Sequence, residues 1–234
     1  VDPNFIEVFG KSLELMREVW KSPKGQPFIV SGTGTLAMDM AAANLIEKGD
    51  AVLVISTGYF GKRFKDISDR YGANTTILEA PLGEVVSLQE IEKELRNKHY
   101  KVMTITHVDT STGVRVDPKP IAKLAQKYNT LSVLDGVCSV AGEDIKQDEW
   151  GIDVVLTGSQ KAIGVPPGLA LQMVSEKAME IWKNRKTPVS NYYSDWNNWL
   201  PVMKAYEERK PSYFGTPPVN LIVALETSLQ IICN

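Results

Sequence analysis

Cysteine and histidine are both scarce in this 234-residue chain, which contains two of each. Cys138 and Cys233 cannot build a disulfide framework, and neither lies in a CxxC metal or redox pattern. His99 and His107 are too few and too far apart to suggest a metal site. This composition is typical of reduced, intracellular conditions.

Long apolar runs and a strong net charge are missing as well. No apolar stretch approaches the roughly 20 residues that span a bilayer. The formal net charge is -2, which gives no electrostatic reason to expect binding to nucleic acid or to an anionic membrane surface. We therefore expect a protein of the aqueous phase, in the cytoplasm or in an organelle such as the peroxisome or mitochondrion.

Short β-branched runs alternate with longer amphipathic segments along the chain. The strand candidates lack polar alternation, as strands buried on both faces of a parallel sheet do. This pattern predicts an α/β fold, in which helices cover both sides of a mostly parallel mixed sheet. Predicted strands occupy 27–32, 51–56, 75–80, 101–108, 131–135, 153–158 and 168–175, and predicted helices occupy 4–20, 35–49, 62–72, 87–98 and 119–129. The aromatic, proline-rich segment 186–218 is predicted to be irregular and to serve function or an interface.

A glycine-rich turn follows the first predicted strand. In such sheets ligands bind beyond the carboxyl ends of the strands. The turn contains Thr33, Gly34 and Thr35 directly before a helix, where backbone N–H groups and hydroxyls can hold a phosphate. The alternative is an ordinary threonine N-cap with two turn glycines, because glycine-rich motifs are weak signals.

An aspartate and a lysine follow two later strands at the same predicted edge. Asp135 ends one strand, where a carboxylate is either a helix cap or a functional anion. Lys161 follows the next strand, and a lone surface lysine is seldom catalytic. Together with a phosphate cradle, however, they match what pyridoxal 5'-phosphate needs: an amine for its aldehyde, a carboxylate for its ring nitrogen and a helix N-terminus for its phosphate. Tyr59 or Phe60 could cover the ring.

The stretch GSQKAIGVPPG (158–168) restricts the backbone conformation around Lys161. Its glycines and paired prolines cannot form regular helix, so they are expected to turn the chain back rigidly and to limit the movement of the amine. Arg63 and Arg115 are expected to be solvated or ion-paired rather than substrate-binding.

Several motifs, in this order, carry a family resemblance: SGTGT, GYFGKRF, THVDTSTGV, LDGVCS, GSQKAIGVPPG and YFGTPPV. They resemble the class V, fold-type I aminotransferases, and most closely the alanine–glyoxylate and serine–pyruvate aminotransferase family. The resemblance implies transamination from L-alanine, or from L-serine, to glyoxylate. It also implies that residues 1–234 form the cofactor-binding large domain. An N-terminal arm, a small C-terminal domain and the arginine for the substrate carboxylate would then lie outside this chain.

The resemblance assigns a role to individual positions. The Schiff-base lysine falls on Lys161 and the partner of the pyridine nitrogen on Asp135. Phe60 takes the ring-stacking position, where relatives often have tryptophan. In a homodimer, Tyr213 and Thr216 would reach the cofactor of the partner subunit. The cofactor-binding positions implied are Thr33, Gly34, Thr35, Phe60, Ser111, Asp135, Gln160, Lys161, Tyr213 and Thr216.

Two other functions are compatible with parts of the pattern. A cysteine desulfurase or related lyase would use the same cofactor, but such enzymes usually place histidine directly before the lysine, and Gln160 stands there. A non-catalytic phosphate- or nucleotide-binding α/β module would use the SGTGT turn alone. It would leave Lys161 without a function.

Overall fold

The computed structural model describes residues 2–234, which include one mixed sheet flanked by helices. The strands are β1 (Gln26–Ser31), β2 (Ala51–Ser56), β3 (Asn74–Glu79), β4 (Val102–Thr106), β5 (Leu131–Asp135), β6 (Val154–Gly158) and β7 (Leu169–Val174). The helices are α1 (Pro3–Trp20), α2 (Gly34–Leu45), α3 (Tyr59–Arg70), α4 (Leu88–Asn97), α5 (Pro118–Lys127), α6 (Gln147–Trp150), α7 (Glu176–Lys183), α8 (Trp196–Glu207) and α9 (Val219–Cys233).

The sheet has seven strands in the order β1-β7-β6-β5-β4-β2-β3. Only β7 runs against its neighbours: it pairs antiparallel with β1 and β6, while the remaining pairs are parallel. This arrangement confirms the predicted mostly parallel mixed sheet. The carboxyl ends of β1, β2, β4, β5 and β6 consequently meet at one edge.

The core lies on both faces of this sheet. Every residue of β4, β5, β6 and β7 is buried, which is why these strands read as continuous apolar runs rather than alternating ones. The alanine-rich α2 packs against β6 and β7, because its small side chains allow close approach to the sheet. On the outside, α1 packs along α8 and α9. No helix of residues 2–234 is long and apolar enough to cross a membrane.

The prediction that 186–218 is irregular was wrong for its central part, which forms the 12-residue α8. Pro201 lies inside this helix and removes one backbone hydrogen bond. The loss is tolerated because the Asp195 side chain caps the helix at the N–H of Asn197 and because Trp196 is fully buried. The predicted helix 35–49 also ends earlier, at Leu45.

Candidate active site

A cavity of about 290 Å³ lies at the carboxyl edge of the sheet. This volume is close to the lower end of the range for small-molecule sites, about 300 Å³. Its walls come from the segments that follow β1, β2, β4, β5 and β6. The lining residues are Thr33, Gly34, Thr35, Met38, Phe60, Arg63, Val108, Thr110, Asp135, Val137, Cys138, Gln160 and Lys161.

Lys161 lies in the loop between β6 and β7 and lines the cavity, and its side chain makes no hydrogen bond or ion pair to another described residue. Ser159 fixes the two ends of this loop: its hydroxyl donates to the Pro166 carbonyl at 2.8 Å and accepts from the Leu169 N–H at 3.2 Å. Gly164 turns the backbone with φ 77°, a value that glycine adopts without strain. The loop is therefore anchored while the amine stays available.

Asp135 ends β5 and presents a carboxylate that is only 3% exposed. Within residues 2–234 that carboxylate makes one hydrogen bond, accepting from the Val137 N–H at 3.0 Å. Burial raises the pKa of Asp135 to about 6, and the nearby Asp109 carboxylate acts in the same direction. A buried anion with so few partners is well suited to a cationic ligand group.

The turn before α2 forms a cradle of backbone groups. Thr33 is extended and makes no side-chain cap bond to the helix, so the first N–H groups of α2 keep their capacity to donate. A Cβ on Gly34 would lie 2.7 Å from Val137 Cγ2, and a Cβ on Gly158 would lie 2.8 Å from the Gly34 nitrogen. Two glycines therefore let the start of α2 approach both Val137, after β5, and the end of β6 closely.

The loop after β4 fixes the backbone that carries Phe60. Gly58 cannot cap α3 with a side chain, and the loop after β4 supplies the cap instead. The Phe60 N–H donates to Asp109 Oδ2 at 3.0 Å, and the Tyr59 N–H donates to Ser111 Oγ at 3.0 Å. Sequence reasoning missed Asp109, although it is a carboxylate just past a strand, as Asp135 is.

Three of the predicted positions do not line the cavity. Ser111 lies beside it, and its hydroxyl donates to Asp109 Oδ1 at 2.6 Å. Tyr213 and Thr216 lie elsewhere, in the segment before α9, with their hydroxyl oxygens 3.3 Å apart. Tyr213 is 70% exposed, so its ring has little support from its own subunit.

Six of the cavity-lining residues had not been placed at the site from the sequence: Met38, Arg63, Val108, Thr110, Val137 and Cys138. Arg63 contacts Thr35, and Cys138 Sγ lies 2.7 Å from Thr110 Oγ1. The position of Arg63 one turn after Phe60 was the available signal, because residues three apart share a helix face. Arg115 is exposed and pairs with Glu143 at 3.5 Å, as expected.

Pyridoxal phosphate fits this set of groups. The α2 cradle with Thr33 and Thr35 can hold the phosphate, and the Asp135 carboxylate can face the ring nitrogen. Phe60 offers an aromatic face, and Lys161 offers a primary amine in the same cavity. The fold and the cavity are thus those of an enzyme that uses this cofactor.

Comparisons with known proteins agree. The family model "Aminotransferase class-V" matches residues 9–234. Alanine–glyoxylate aminotransferase 1 of Saccharomyces cerevisiae is 41% identical over 97% of this chain and 62% of its own length. Serine–glyoxylate aminotransferase of Arabidopsis thaliana is 33% identical over 94% of this chain and 55% of its own length. The crystal structure of an alanine–glyoxylate aminotransferase from Nostoc sp. superposes with a TM-score of 0.91 at 37% identity, covering 98% of this chain and 60% of that one.

The chain belongs to the class V aminotransferase family. Members of this family depend on pyridoxal phosphate. The chain spans about three-fifths of the length of the yeast and Nostoc relatives. The assignment of residues 1–234 to the large domain remains a prediction.

Proposed function

We propose that the protein containing this chain transfers the amino group of L-alanine, or of L-serine, to glyoxylate, giving glycine and the corresponding 2-oxo acid. One relative is named for alanine and glyoxylate and another for serine and glyoxylate. Glyoxylate is common to both names, which supports it as the acceptor. The observation that carries the proposal is that Lys161 and Asp135 line one cavity together with the start of α2.

Pyridoxal phosphate, when bound, supplies an aldehyde that condenses with primary amines and a ring that accepts electrons. Lys161 is the primary amine that lines the cavity, so its Nζ would hold the aldehyde covalently between turnovers. With an amino acid substrate bound, Nζ would act as the base that accepts the proton from the substrate Cα and as the acid that returns it. The anchored 159–169 loop keeps Nζ within reach.

Asp135 would hold the ring nitrogen in its protonated form. Without a ligand in the cavity, burial raises the pKa of Asp135 to about 6. A cation beside the carboxylate favours its ionised form, so a bound cofactor would lower this pKa again. The Asp135 carboxylate would thereby hold the proton on the ring nitrogen and keep the ring an electron acceptor. Thr33, Gly34, Thr35 and Gln160 would hold the phosphate.

The homodimer is part of this proposal. Tyr213 and Thr216 project from an irregular segment in which Tyr213 is 70% exposed, and both hydroxyls are placed to act together. An exposed aromatic hydroxyl of this kind fits a phosphate contact in a partner subunit. Ser111 would act beside the cofactor, next to the Asp109 cap.

Lys161→Ala tests the proposal. We expect the variant to fold but to lose both the visible absorbance of lysine-bound cofactor and the formation of pyruvate from alanine and glyoxylate. Rates should be measured in parallel for sulfide release from cysteine, which a desulfurase would show. Cofactor absorbance that survives in the variant, or sulfide release faster than transamination in the wild type, would overturn this function.

A further inference from the structure

Arg63 is a cation at the cavity wall that the proposed chemistry does not use. It lies on α3, and within residues 2–234 it and Lys161 are the cationic side chains that line the cavity. Arg63 Nη1 donates to Thr35 Oγ1 at 3.0 Å. Its guanidinium carbon lies 4.8 Å from the centroid of the Phe60 ring and 5.1 Å from that of Tyr59.

Within the described part of the chain Arg63 forms no ion pair, whereas Arg115 is paired with Glu143. The Asp135 carboxylate senses the charge of Arg63 without a direct contact: burial raises the pKa of Asp135, and the guanidinium opposes that rise. The two aromatic rings hold the Arg63 guanidinium by cation–π attraction. Its orientation is therefore set before any ligand arrives, which lowers the entropic cost of binding an anion.

The hydrogen bond to Thr35 places the Arg63 guanidinium at the end of the cavity formed by the start of α2. Thr35 is the second residue of α2, where the helix presents its positive end. Because the Thr35 oxygen accepts from Arg63, the Thr35 hydroxyl hydrogen remains free to donate elsewhere. A cation, an O–H and backbone N–H groups thus lie together at the start of α2.

We propose that Arg63 is an anion-binding residue for the cofactor phosphate. It would neutralise part of the dianion's charge and hold Thr35 so that its hydroxyl donates to a phosphate oxygen. The proposal rests on pyridoxal phosphate occupying the cavity as described above. The experiment distinguishes this role of Arg63 from two others: orienting Phe60 for stacking on the cofactor ring, and binding the substrate carboxylate.

The test compares two ligands that differ only in the phosphate. Dissociation constants of the cofactor-free, full-length enzyme are measured by fluorescence for pyridoxal 5'-phosphate and for pyridoxal. Arg63→Gln should weaken pyridoxal 5'-phosphate about tenfold, as expected for one charge-assisted hydrogen bond, and should leave pyridoxal unchanged. Arg63→Lys, which keeps the charge, should retain most of the affinity. Arg115→Gln, the matched control, should change neither constant.

The outcomes separate the possibilities. An Arg63→Gln variant that weakens both ligands equally would assign Arg63 to the ring and overturn the proposal. Unchanged cofactor affinity with a raised KM for the amino or 2-oxo acid would assign it to the substrate, which also overturns it. A wild type that binds neither ligand would refute the proposed function itself, and is thereby distinguished from a failure of the Arg63 inference alone.

Discussion

Replacing Asp135 by asparagine should stabilise the cofactor-free protein while it impairs the enzyme. The carboxylate is buried, and among residues 2–234 it has no cation in direct contact and accepts one backbone hydrogen bond, from Val137. Asparagine has the same shape, and its carbonyl oxygen can accept that same bond. The substitution therefore removes a costly buried charge and leaves the packing intact.

The magnitude follows from the pKa of Asp135. Its rise from the ordinary value of 3.8 to about 6 means that ionising Asp135 costs about 3 kcal/mol more in the folded protein than in the unfolded chain. Because the folded pKa is raised, protonation favours folding: the stabilising contribution is complete below about pH 4 and is lost as the pH rises through about 6. Asp135→Asn should thus gain about 3 kcal/mol at pH 8 and almost nothing at pH 4.

Urea unfolding of the cofactor-free protein at both pH values measures this difference. Asp144→Asn is the matched control, because the Asp144 carboxylate is 70% exposed and its removal should change stability by no more than about 0.5 kcal/mol. With cofactor bound, Asp135→Asn should slow transamination by about a hundredfold or more, since the charge facing the ring nitrogen is gone. A variant that is less stable at pH 8, or equally stabilised at both pH values, would refute this reasoning.

Two further substitutions test the phosphate site. Gly34→Ala places a Cβ only 2.7 Å from Val137 Cγ2. Cofactor affinity should fall about tenfold in equilibrium titration, and adding Val137→Ala should restore part of it. An unchanged affinity would show that the start of α2 tolerates the extra methyl group. Tyr213→Phe should weaken pyridoxal 5'-phosphate about tenfold without changing the dimer mass measured by light scattering, and a monomeric wild type or an unaffected affinity would remove the intersubunit role.

Much of the fold could be predicted because the parallel strands are buried on both faces and so appear as apolar runs. Asp135 and Lys161 follow adjacent strands that run in the same direction, and the sheet therefore had to bring them to one edge. Phosphate cradle, carboxylate and amine were thus predictable without knowledge of any helix orientation.

Features that depend on tertiary contacts could not be predicted from the sequence. Arg63 faces the cavity because Asp109, from the loop after β4, fixes the start of α3, and no local pattern encodes that contact. The α8 helix was missed because Pro201 argues locally against it, while the burial of Trp196 that stabilises it appears only in the folded chain.

The most direct test of the central claim is to find the lysine that holds the cofactor. The full-length enzyme with bound pyridoxal 5'-phosphate is reduced with borohydride, digested, and its labelled peptide is sequenced by mass spectrometry. We predict a single phosphopyridoxyl group on Lys161, in the peptide that contains the segment 158–168. A label on another lysine, or its absence from an enzyme that transaminates normally, would contradict the assignment of this cavity as the active site.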